Sequence, residues 1–121
     1  MIEKEKISDT LLKLYKLYEV EEIKIPQIIP STSECIGYDI YYPEFTETKQ
    51  YHIMLFLLSK GHSLELSLSE TIGNWILKYG NKENFIEIEH EDLRECFIQI
   101  LIDFYPYLQD IERKRVRDIL Q

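Results

Sequence analysis

The stretch Tyr51-His52-Ile53-Met54-Leu55-Phe56-Leu57-Leu58-Ser59-Lys60-Gly61-His62-Ser63-Leu64-Glu65-Leu66-Ser67-Leu68 decides how this chain is read. Residues 51–58 are apolar on both faces, which is the pattern of a central strand covered on both sides. Lys60-Gly61 supplies a tight turn. Leu64, Leu66 and Leu68 then alternate with Ser63, Glu65 and Ser67, the period of two that marks a half-buried strand. The expectation is an antiparallel hairpin of 53–58 against 64–68.

Toward the N-terminus, the polar residues 44–49 read as a hairpin loop, and residues 35–42 as a β-branched and aromatic strand closed by Pro43. Ile23, Ile25, Ile28 and Ile29 suit a short strand, and Pro26, which cannot donate to a ladder, assigns it to an edge. Ser8-Asp9 opens a helix whose apolar residues Leu11, Leu14, Tyr15 and Tyr18 fall at helical spacing; it ends near Glu19.

Toward the C-terminus, Ser69 is the expected N-cap of a helix through Tyr79, with Gly80 as its C-terminal cap and Trp75 buried on its apolar face. Phe85, Ile86 and Ile88 either add a strand or lead into the next helix. That helix starts behind Glu91-Asp92, where negative charge suits a helix N-terminus, and carries Leu93, Cys96, Phe97, Ile100, Leu101 and Phe104. Pro106 ends or kinks it and can open a last helix with Leu108, Ile111, Val116, Ile119 and Leu120. The predicted fold is therefore α+β: an N-terminal helix, an antiparallel sheet of three to four strands, and three further helices packed on one face. Length and the absence of a linker or repeat predict a single domain over 1–121.

A 45% hydrophobic fraction excludes a disordered chain, despite a net charge of −8. Residues 1–6 lack the apolar stretch of a secretory signal, and the longest apolar run, of six residues, is too short to cross a membrane. A soluble, cytoplasmic protein with no membrane partner is expected. The charge is concentrated: residues 34–95 hold 12 Asp/Glu and 5 Lys/Arg, a balance of −7, leaving −1 for the rest. Such a surface repels nucleic acid and attracts a basic protein.

No catalytic pattern accompanies the charge. Cys35 and Cys96 share no metal-ligand spacing and read as reduced, partly buried thiols. His52 in a strand, His62 in a turn and His90 at a helix start do not form a convergent ligand set. All four glycines are isolated, so there is no phosphate-cradling loop. No cofactor, metal or catalytic residue is expected. The basic run 113–117 reads as cations offsetting the dipole of a C-terminal helix. Two acidic patches remain as candidate partner-binding sites. In the first, Asp39, Glu44 and Glu47 flank Tyr41 and Tyr42, whose adjacent positions point to opposite faces, one to the core and one to the surface. In the second, Glu87, Glu89, Glu91 and Asp92 cluster at a strand-to-helix corner.

The segment Tyr38-Asp39-Ile40-Tyr41-Tyr42-Pro43 resembles the Asp-x-Ile-Tyr-Tyr-Pro segment of the immunity proteins of nuclease colicins, and Ile7-Ser8-Asp9 resembles an Ile-Ser-Asp near their N-terminus. The match covers fewer than ten residues. That family is a smaller four-helix bundle, so the strands expected at 50–68 depart from it. What the resemblance implies is a shared strategy: tyrosines that anchor a basic nuclease while acids meet its Lys and Arg. Bacterial immunity proteins of contact-dependent inhibition systems and phage anti-CRISPR proteins are similar in acidity, the latter also in size. The expected function is a small acidic inhibitor that blocks a basic nucleic-acid-acting protein, such as a nuclease toxin or a CRISPR effector. The rivals are a structural or adaptor protein that forms a homodimer or larger homo-oligomer through a strand edge or the C-terminal helix, and a small enzyme.

Overall fold

The computed structural model describes residues 7–121, so the reading of residues 1–6 lies outside it. The fold is α+β. Among the described residues four α-helices and five strands follow one another as α1 (Asp9–Leu17), β1 (Ile23–Ile28), β2 (Cys35–Tyr41), α2 (Glu47–Ser59), β3 (Ser63–Leu68), β4 (Trp75–Gly80), β5 (Phe85–His90), α3 (Leu93–Phe104) and α4 (Asp110–Leu120).

The N-terminal helix starts as its sequence dictates. Ser8 Oγ accepts the Leu11 N–H at 3.1 Å, and Asp9 sits in the first turn where the macrodipole favours a negative charge. Glu19, at φ 58°, turns the chain out of the helix. β1 and β2 then pair antiparallel as a separate two-stranded ribbon, from Ile23 opposite Tyr41 to Ile28 opposite Cys35. Both strands are edges, which accommodates Pro26. The ribbon contributes no side chain to the buried core and stands out from it as an arm.

Residues 51–58 are not a strand. They lie in α2, and the expected hairpin with 64–68 and the loop at 44–49 disappear with that assignment. A short apolar run does not distinguish a buried strand from a buried helix by periodicity. Composition does: the run is Leu, Met and Phe, with Ile53 its one β-branched residue, and Leu and Met are strong helix formers. Thr46 caps the helix by accepting the Lys49 N–H at 3.2 Å. Ile53, Phe56 and Leu57 face the core, whereas Tyr51, Leu55 and Leu58 face out.

The expected helix over 69–79 is likewise absent. Residues 69–74 form a loop and Trp75 opens β4, the central strand of a meander ordered β3-β4-β5. The alternation of Leu77 and Tyr79, both fully buried, is a strand's period of two. Trp75 is only partly buried, on a strand and not on a helix. Gly80 is the last residue of β4 and not a helix cap. At φ +142° its Cα faces the Asn84 carbonyl so closely that a Cβ would lie 2.2 Å from that oxygen. Of the two paths open to 85–88, the chain takes the strand. The predicted sheet of three to four strands is thus a three-stranded meander, with the ribbon apart from it.

α3 packs directly on β4 and β5, with α1 and α2 against it and α4 against α2. The predicted stripe on α3 is buried at Cys96, Phe97, Ile100 and Leu101, and Ile98 and Ile102 are buried as well, because neighbours cover this helix on several sides. Tyrosine hydroxyls tie the layers: Tyr79 donates to the Leu57 carbonyl at 2.8 Å and Tyr18 to that of Leu101 at 2.7 Å. Pro106 lies in a 3-10 turn (Tyr105–Tyr107), and α4 starts later, where the Glu112 carboxylate accepts the Gln109 N–H at 3.0 Å. No helix among the described residues is long and apolar enough to cross a membrane.

Candidate partner-binding cleft

Three separate segments meet where the arm leaves the body of the protein. Ile7 and Ser8 come from the start of α1, residues 40–44 from the end of β2, and Asp92, Arg94 and Glu95 from the start of α3. Between them lies an open cleft of about 500 Å³. Its lining includes the aromatic side chains Tyr41, Tyr42 and Phe45, backed by Tyr15. Tyr15, fully buried, donates its hydroxyl to the Pro43 carbonyl at 2.6 Å and stacks on Tyr42 with ring centroids 5.6 Å apart. This bond holds the Tyr42-Pro43 backbone against α1. Burial, with the nearby Glu44 carboxylate adding to it, pushes the Tyr15 phenol up to about 12.

Tyr41 and Tyr42 both line the cleft and both are partly buried, so the division between them is one of degree. Tyr42 packs against the core through Tyr15, and its hydroxyl donates to Glu22 at 3.1 Å. Desolvation and then that carboxylate raise the Tyr42 phenol above its ordinary value. Tyr41 belongs to the ribbon, with its hydroxyl 3.5 Å from the Asp39 carboxylate. Asp39 also accepts the Gln27 side-chain amide at 2.7 Å, across the ribbon.

The acidic wall combines the two patches. Glu44 comes from the first and Asp92 from the second, and Glu95 follows in the same acidic run, just beyond the candidate residues of the second patch. Ser8 donates to Glu95 at 3.2 Å, linking the start of α1 to that of α3. Asp92 is the N-cap of α3 and accepts the Arg94 N–H at 2.9 Å. The Arg94 guanidinium reaches the Phe45 carbonyl at 3.5 Å and Asp92 at 3.8 Å. The rim thus holds three carboxylates against one guanidinium already engaged with the fold.

The other candidates lie elsewhere. Glu47 is in the first turn of α2, outside the residues lining the cleft. Glu87 and Glu89 project from the exposed face of β5, and Glu91 follows the end of that strand. Glu89 accepts Ser69 Oγ at 2.6 Å and Asn74 Nδ2 at 3.1 Å, which ties down the β3–β4 loop and holds its carboxyl below the usual range. The basic run on α4 is partly used by the fold itself: Arg113 lies 4.2 Å over the Tyr105 ring and Arg115 is 5.6 Å from that of Phe56.

The histidines and cysteines also have local settings. His52 is on α2, and His90 ends β5, where its Nδ1 accepts the Asp92 N–H at 2.8 Å. The His62 ring packs against Tyr79 and Phe104. Cys35 is exposed and Cys96 buried, its thiol raised chiefly by burial. Among the described residues no group of three or more His, Cys, Asp or Glu is arranged to hold a metal ion. Comparisons with protein-family models, curated proteins and solved structures gave no match.

Proposed function

We propose that this chain is a small acidic inhibitor that binds and blocks a basic nucleic-acid-acting protein, of the kind represented by nuclease toxins and CRISPR effectors. The observation that carries the reading is convergence. The two segments that resemble colicin immunity proteins, Ile7-Ser8-Asp9 and residues 38–43, lie far apart in the chain. Six of their residues (Ile7, Ser8, Ile40, Tyr41, Tyr42 and Pro43) line one cleft, which also carries Glu44, Asp92 and Glu95. Tyrosine rings and carboxylates lining one cleft suit a Lys or Arg side chain of a partner. The ring faces attract the cation, and the carboxylates replace the phosphates that it would otherwise contact. Tyrosine is also among the residues that most often dominate interface energy. The fold is not the immunity proteins' four-helix bundle, so the proposed likeness is one of strategy alone.

The chain acts in this reading by occupying a surface and not by catalysis, in the cytoplasm where its target works. The test is capture of the partner from the native host, then association kinetics against salt with the purified pair. Association should slow markedly as salt rises, because exposed charges are screened beyond about 8 Å at physiological ionic strength. Glu44→Gln and Glu95→Gln should each slow it further at low salt while leaving the fold intact. Salt-independent association, a partner with an acidic interface, or tight direct binding of this chain to DNA or RNA would each overturn the proposal.

A further inference from the structure

We infer that β3 is a self-pairing edge through which two copies of this chain join into one continuous six-stranded antiparallel sheet. β3 hydrogen-bonds to β4 along one side, in unbroken register from Ser63 opposite Gly80 to Leu68 opposite Trp75. Among the described residues nothing pairs with its other side. Edge strands are usually blunted by proline, lysine, a bulge or a covering segment. β3 has no proline, no lysine and no bulge.

Its side chains extend the same invitation. Leu64, Leu66 and Leu68 share the sheet face on which Leu77 and Tyr79 are fully buried beneath the helices. Yet Leu66 is 49% and Leu68 72% exposed. The apolar layer therefore runs past β4 with nothing over its margin.

Charge selects the occupant. Residues 50–68 carry one cation, Lys60, and one anion, Glu65, in a chain of net charge −8. Lys60 is already paired with Glu112. α2 contacts β3, and its outward side adds Tyr51, Leu55 and Leu58, with Glu47 as the exposed carboxylate one turn before them. A second acidic copy is repelled by the cleft and by β5, but not here.

The sequence of β3 also matches itself. A twofold axis through the strand must set even positions opposite even ones, so that the leucine faces stay together. Centred on Leu66, it places Leu66 against its own copy, Leu64 against Leu68, and Glu65 across from Ser67, a hydroxyl able to donate to it. Centred on Glu65, it sets two carboxylates face to face, which is unfavourable. Of these two registers, the one centred on Leu66 satisfies every pair and brings all three leucines of each strand into the seam. The interface is small, so the expected dissociation constant is about 1–100 μM.

Sedimentation equilibrium of the full chain across concentrations tests this pairing, which stands independently of what the acidic cleft binds. The wild type should dimerise, and Leu66→Asp should be monomeric throughout. Residue 67 is exposed, so its substitutions test register without burdening the fold. Ser67→Glu sets two like-charge pairs across the twofold and should weaken the dimer about tenfold; Ser67→Lys sets two opposite pairs and should tighten it by a similar factor. A wild type that stays monomeric up to about 1 mM overturns the inference. So does a dimer that is indifferent to both substitutions at Ser67.

Discussion

Replacing Tyr15 by Phe removes one oxygen from the core and tests how the cleft is held. The ring is fully buried, and its hydroxyl donates to the Pro43 carbonyl at 2.6 Å, bridging α1 and the exit from β2. Phe keeps the ring and its stacking on Tyr42, so no large cavity forms. What is lost is one buried hydrogen bond, and the Pro43 carbonyl, itself in a buried residue, is left without that donor. Together these should cost about 2 kcal/mol. Urea unfolding would register this as a midpoint lowered by about 1 M at unchanged slope. Tyr15→Ala, which also opens a cavity under Tyr42, should cost roughly 3–5 kcal/mol. The same group has an alkaline signature. Its phenol titrates near 12 in the folded chain against 10.0 for the free side chain, so folding favours the protonated form. The stability this contributes is intact below pH 10 and is lost as pH rises through 12. Tyr15→Phe should flatten that part of the alkaline unfolding profile, leaving Tyr79, also raised to about 12, and Tyr18 and Tyr42, raised as well, to supply the rest. A variant with wild-type urea midpoint and wild-type alkaline profile would refute the assignment of Tyr15 as the tie between α1 and the cleft.

The two cleft tyrosines should separate by role. Tyr42→Ala, stacked on Tyr15, should cost stability of about 2–4 kcal/mol in thermal unfolding, whereas Tyr41→Ala should leave the fold intact and weaken partner binding by about 2 kcal/mol in calorimetry. Gly80→Ala forces a Cβ against the Asn84 carbonyl at a strained φ, and thermal unfolding should show a loss of about 1–3 kcal/mol or more. Glu89 has its folded pKa lowered by Ser69 and Asn74, so its hold on the β3–β4 loop is present above the free value of 4.5 and fades as pH falls through the folded one. The protection factor of the Thr71 amide, whose N–H is held by Ser69 Oγ, should fall at low pH and in Glu89→Gln at neutral pH.

Much of the architecture is a local matter, and local physics was enough to read it. The α1 start at Ser8-Asp9, the α3 start behind Asp92, the alternation along β3 and the edge placement imposed by Pro26 all rest on caps, periods and a missing donor. Each is complete within a few residues. Residues 51–58 and 75–80 are different. The first is apolar all round, so its identity turned on Leu and Met propensity weighed against burial by α3 and α4. The second places Trp75, Ile76 and Tyr79 at spacings that a helix face also accepts. Only pairing with β3 on one side and β5 on the other makes it a central strand, because those backbone hydrogen bonds come from residues distant in sequence.

The same division runs through the candidate site. Its residue types were legible in the chain: acids around a pair of tyrosines, and acids before a helix. Glu95 belongs to the same acidic run, but nothing local sets it apart from other first-turn carboxylates as a site residue; its place opposite Ser8 depends on α1 packing against α3. Sequence alone determined that this protein carries concentrated acidic charge, a pair of adjacent tyrosines, and the starts of α1 and α3. The tertiary structure alone decided which acids share a cleft, that Glu47, Glu87 and Glu89 do not, and that β3 is left as an open edge. Contacts between residues distant in sequence exist only once the chain has closed on itself, and no short-range rule encodes them.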